Sequence, residues 1–150
     1  KLCIEHTSIL CARYKYIGTP LHNAALNGHK EFAELLFDSG AVVNSKCKNG
    51  VTPLHNAVWN GHKEVAELLI DNGSKVNSRN NVEGTPLHNA AWNGHKEVAA
   101  LLIEKGAVVN ALGVNGTPLD WAIFRNHTEA ADLLRKHGGK TGEELKAEGK

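Results

Sequence analysis

With 150 residues, 41% of them hydrophobic, the chain carries enough apolar material for one domain or one short repeat array. A formal charge of +1 supplies no field that would draw it to nucleic acid or to an anionic membrane. Cys3, Cys11 and Cys47 fit neither a zinc site nor a small disulfide framework, and read as reduced thiols of an intracellular, cytoplasmic protein or as incidental ones. No apolar run approaches the ~20 residues of a membrane-spanning helix, and no signal-peptide pattern opens the sequence.

The chain is organised by a repeat. Thr-Pro-Leu-His begins at Thr19, Thr52 and Thr85, and a Thr-Pro-Leu-Asp variant begins at Thr117, at spacings of 33, 33 and 32 residues. A period in this range decides architecture before any single element does. Residues 1–18 align with the back half of such a unit, Leu2-Cys3-Ile4 matching Leu68-Leu69-Ile70. The chain is therefore expected to start inside a repeat, the alternative being a natural degenerate N-terminal cap. The absence of any methionine and the opening at Lys1 agree with a piece of a longer or processed polypeptide.

The first full unit, 19–51, sets the local programme. Thr19 is placed to cap a helix whose first residue is Pro20, where the missing N–H costs nothing. His22, three residues past the cap, can reach back to the turn as the acid of a capping box does. A short helix runs from Leu21 to about Asn27, and Gly28 ends it in the left-handed region. A second helix is predicted over about Lys30 to Asp38, with Phe32, Ala33, Leu35, Leu36 and Phe37 as its apolar stripe, ended by Gly40. The chain then extends through Val43-Asn44 to a tight turn at Asn49-Gly50. Units 52–84 and 85–116 repeat the scheme. One helix pair cannot bury both its faces alone, so neighbours must stack. The expected fold is all-α: a solenoid of stacked helix–turn–helix units with hairpin-like fingers, forming a single domain over 1–150.

The last unit, 117–139, looks like a terminus of the array. Asp120 stands for the repeat His, Asn126 for the repeat Gly, and Arg135 for an apolar residue. Thr141-Gly142-Glu143-Glu144 then offers a capping box for a short polar helix within 140–150.

The motif running from Gly50 through Thr52-Pro53-Leu54-His55 and Gly61-His62 to Val76-Asn77 resembles the ankyrin repeat over nearly the whole chain. The resemblance implies helix pairs stacked with a right-handed twist, projecting fingers, and a role in binding other proteins. It also implies that first-helix residues line the groove. The family usually has an Asp near each finger tip, and this sequence has none there.

Nothing in the residues argues for an enzyme. Six of the nine histidines, His22, His29, His55, His62, His88 and His95, are two scaffold positions repeated, each expected to tie its own turn. No cofactor or metal is expected, and Asn44, Asn77 and Asn110 are read as ties between adjacent fingers. Binding must use positions the scaffold leaves free. On the first helices these are Asn23, Leu26 and Asn27; Asn56, Trp59 and Asn60; Asn89, Trp92 and Asn93; and Trp121, Phe124 and Arg125. They give a ladder of one large apolar side chain per repeat: Leu26, Trp59, Trp92, Phe124. The basic finger residues Arg13, Tyr14 beside it, Lys46, Lys48 and Arg79 point to a protein partner with an acidic edge. A small-molecule substrate, nucleic acid and membrane are not expected, and the chain is expected to be monomeric. The alternative is a spacer segment of a longer array with no ligand of its own.

Overall fold

The computed structural model describes residues 18–149. Nine helices form among the described residues: α1 Pro20–Asn27, α2 Lys30–Asp38, α3 Pro53–Trp59, α4 Lys63–Asp71, α5 Pro86–Asn93, α6 Lys96–Glu104, α7 Pro118–Phe124, α8 Thr128–Lys136 and α9 Gly142–Ala147. Among the described residues no strand forms, only an isolated bridge between Gly113 and Gly116. The chain divides into two compact units at Lys75/Val76. The expected half-repeat over 1–17, including Cys3, Cys11, Arg13 and Tyr14, lies outside the described residues.

Every first helix starts by the same local chemistry. In the N-terminal unit the Thr19 hydroxyl accepts from the His22 backbone N–H, and the His22 ring accepts at Nδ1 from the Thr19 N–H at 3.0 Å. Thr52–His55, Thr85–His88 and Thr117–Asp120 repeat this reciprocal capping box. Because a backbone N–H always donates, Nδ1 is unprotonated and the ring proton sits on Nε2. That second nitrogen reaches forward. It donates to the Val51 carbonyl from His22 at 2.7 Å, and to the Gly116 carbonyl from His88 at 3.0 Å. One side chain thus starts its own helix and anchors the finger that follows.

Within the N-terminal unit α1 packs on α3 and α2 on α4; within the C-terminal unit α5 packs on α7 and α6 on α8. Alanines such as Ala25, Ala57, Ala90 and Ala122 are fully buried and let the helices approach closely. Leu54, Leu69, Leu87, Leu102 and Leu134 fill the remaining core, each burial stabilising by about 1.5–3 kcal/mol.

The predicted α2 stripe is corrected in part. Only Ala33 is buried, whereas Phe32 and Leu35 are exposed. Of the equivalent residues of α4, Val65 is buried and Leu68 half-buried where α4 packs on α2.

The finger at 79–84 closes without an Asp. Asn80 supplies the missing acceptor, its Oδ1 taking the N–H groups of Val82 and Gly84 at 3.0 and 2.9 Å. Asn44, Asn77 and Asn110 each bridge one repeat to the next: the amide donates to the carbonyl of Gly73, Gly106 or Gly138, and accepts from the N–H of Lys75, Val108 or Lys140.

At the C-terminal end, the exchange of His for Asp follows from what it must meet. Helix α9 presents the Gly142 N–H, a donor, where other repeats present a carbonyl. The Asp120 Oδ2 accepts it at 2.8 Å while also accepting from the Thr117 N–H at 2.9 Å. The expected capping box at Thr141 is only half made. Thr141 Oγ1 accepts from the Glu144 N–H, but the Glu144 carboxylate turns to Arg135, forming two bonds at 2.6 and 2.7 Å. Leu145 is buried beneath this clasp. Asp120→His would set the Nε2–H donor against the Gly142 donor and is expected to cost about 2 kcal/mol. Faster amide hydrogen exchange across Gly142–Ala147, with a lowered Tm, is the readout.

Candidate protein-binding surface

The sequence-predicted site residues separate into scaffold and surface. In the N-terminal unit, Asn56 is only 8% exposed and donates to the His22 carbonyl at 3.2 Å. Asn60 donates to the Leu26 carbonyl at 2.7 Å, and the same oxygen receives His62 Nε2 at 3.0 Å. These asparagines are therefore fasteners between first helices, a correction to their reading as free groove residues. Asn89, one repeat later, is buried to the same 8% and Asn93 is half-buried. His62 also ties the preceding repeat rather than its own turn, again against expectation. Asn23 and Asn27 are exposed and bonded to each other, Asn27 Nδ2 donating to Asn23 Oδ1 at 2.7 Å. Leu26 is half-buried, while Trp59 keeps 42% of its surface exposed.

The finger cations fare differently from one another. Lys46 and Lys48 are exposed. Arg79, by contrast, is used inside the C-terminal unit: its guanidinium donates to the Glu83 and Leu112 carbonyls at 3.1 and 2.8 Å and pairs with the Glu83 carboxylate. Its guanidinium is engaged in these contacts, so it is corrected from a free tip cation to a brace between fingers.

The C-terminal unit gathers its aromatics into one cluster. Trp92 stacks on Phe124 with centroids 5.7 Å apart and planes at 18°, and meets the edge of Trp121 at 5.6 Å. Trp121 also lies against the His88 ring at 4.7 Å, and the Arg125 guanidinium sits 4.7 Å from the Trp92 centroid. Trp121 occupies the position that is Asn56 and Asn89 in earlier repeats. Where those asparagines have an amide, it has an indole whose buried Nε1 finds no acceptor. Phe124 remains 74% exposed.

Beside this cluster runs a groove of about 800 Å³, walled by the finger 112–116 and by α9. Leu112 and Val114 point apolar surface into it, and Asp120, Glu143 and Lys146 supply its charge. None of these was predicted as a site residue. An apolar finger tip, where the two preceding tips carry cations, was the available signal.

Burial holds the His22 ring below its ordinary pKa, with the Val51 hydrogen bond opposing. Burial likewise lowers His88 to about 4, against its bond to Gly116 and with help from the Arg79 charge. These rings are neutral hydrogen-bonding parts at pH 7, not proton carriers. Among the described residues, no group of three or more His, Cys, Asp or Glu side chains could hold a metal ion, and no helix is long and apolar enough to cross a membrane.

A family model for ankyrin repeats, three copies long, matches residues 5–80 and 76–144. A search of curated proteins finds no match. The reciprocal Thr/His caps, the paired helices and a family match across nearly the whole chain agree, and the protein belongs to the ankyrin-repeat family, whose members are generally protein–protein interaction modules and typically not enzymes.

Proposed function

We propose that the chain binds a protein partner through exposed side chains of its first helices and fingers, with the aromatic residues supplying most of the affinity. The observation that carries this reading is Phe124, which is 74% exposed and stacked on Trp92 in a position where it closes no core. A side chain this exposed gains little from folding, and clustered aromatics beside Arg have the composition of binding hot spots. Trp59 offers a second such surface in the N-terminal unit, whose finger bears exposed Lys46 and Lys48 that suit an acidic edge on the partner. The partner is a protein rather than a small molecule, nucleic acid or membrane, and the chain acts as a monomer inside the cell.

Phe124→Ala and Trp59→Ala are the tests. Each is expected to leave the Tm within a few degrees of the parent, and to weaken binding to a captured partner by about 2 kcal/mol, roughly thirtyfold. Unchanged affinity in both variants would remove the aromatic face from the site.

A further inference from the structure

We propose that the groove of the C-terminal unit receives a basic peptide segment, in which the aliphatic stem of a Lys or Arg lies along Phe124 and Val114 and its cationic head meets Asp120 and Glu143. The inference rests on the protein-binding reading above and names the chemistry of the partner for one part of that surface.

Three observations support it. The groove wall exposes Phe124, Val114 and Leu112, the first two at 74% and 67%. A long amphipathic side chain covers such surface while keeping its charge in water, which a short acid or amide cannot do. Next, the acceptors are unspent. Asp120 commits Oδ2 to the caps of α7 and α9, but its Oδ1 takes no hydrogen bond, and Glu143 has no partner among the described residues. Against these two carboxylates stands one cation, Lys146, so the lining has a net charge of −1. Finally, this aromatic cluster already takes a cation on a ring face, with the Arg125 guanidinium over the Trp92 ring at 4.7 Å. The charge expected of a ligand here is opposite to that suggested by the basic finger tips, and the tip cation Arg79 is directed at the Leu112 carbonyl and the Glu83 carboxylate.

The test selects random linear peptides displayed on phage against the full chain, then titrates the selected sequences as synthetic peptides. Enrichment of a Lys or Arg next to an apolar residue is expected. Phe124→Ala should weaken such peptides more than tenfold. Glu143→Gln should weaken them about threefold at low salt and less at high salt, and Lys146→Ala should tighten them about twofold. All three side chains lie on the surface, so unchanged Tm values will confirm that the variants fold. Selected peptides that are acidic or uncharged, yet still lose affinity in Phe124→Ala, would overturn the basic-segment proposal and leave the aromatic face standing. Peptides indifferent to both Phe124→Ala and Trp59→Ala, or none selected, would overturn both. A concentration-dependent dimer abolished by Phe124→Ala would assign the groove to a second copy of the chain instead.

Discussion

Lowering the pH from 7 to 4 is expected to remove about 3 kcal/mol of stability through His88 alone. In the unfolded chain this ring titrates near 6.5, and in the fold near 4, because burial disfavours its charge. Between those values the unfolded chain holds a proton that the native chain does not. Each unit of pH lost in that window therefore favours unfolding by about 1.4 kcal/mol. Above 6.5 neither state is protonated, and the contribution is constant. His22 is shifted in the same direction by the same cause and adds to the slope. The geometry gives the effect a structural meaning. A proton on Nδ1 would face the Thr85 N–H, 3.1 Å away, and turn an acceptor into a second donor. The helix cap would be lost together with the charge penalty. Glu144, held low by Arg135, contributes stability that is present above the ordinary carboxylate range and lost only as the pH falls through it, so its loss follows that of the histidines. Chemical denaturation across pH 7.5 to 4 is the measurement. His88→Gln, an amide that can still accept from the cap, should lower stability at pH 7 and flatten the slope between 6.5 and 4 by about one proton. A parent curve that is flat in this window would refute the account.

The histidine caps were legible in the sequence because every atom involved lies within four residues: Thr at the cap, Pro next, and a ring nitrogen at the third position. The left-handed Gly28 and Asn126 were legible for the same reason, and both have positive φ, 70° and 60°. What escaped reading depends on atoms a whole repeat away. Asn56 looks free on its own helix, and only the carbonyl of His22, 34 residues earlier, makes it a fastener. Asp120 reads as a bare departure from the repeat until the Gly142 donor is placed beside it. The aromatic ladder was read as one rung per repeat. The cluster arises because Trp121 occupies a fastener position one turn from Phe124, and thus fills the space between the rungs. Helix periodicity gives the face on which a residue lies. It carries no information on whether a neighbouring carbonyl has already claimed that residue.

The same distinction between local and neighbouring causes yields the other large effect. Gly94→Ala is expected to cost about 3 kcal/mol, and Gly106→Ala only about 1. Both glycines have positive φ, 69° and 99°, so each alanine bears a backbone penalty. Around Gly106 nothing lies within 4 Å of an added Cβ, and the penalty stops there. At Gly94 the Cβ would fall 2.5 Å from Nδ1 and 2.7 Å from Cγ of His127, the ring at the start of α8. Gly28 meets His62 in the same way at 2.6 Å, so the contact recurs with the repeat. The glycine is thus required less by the turn itself than by the histidine of the next unit. Asn126 agrees with this: it holds the same left-handed turn at φ 60° with a side chain in place, so the turn itself tolerates a Cβ. A double-mutant cycle separates the two costs. In a His127→Ala background Gly94→Ala should lose most of its excess and cost about as much as Gly106→Ala. If the cost of Gly94→Ala is the same in both backgrounds, strain in the backbone accounts for all of it and the steric link between repeats is absent.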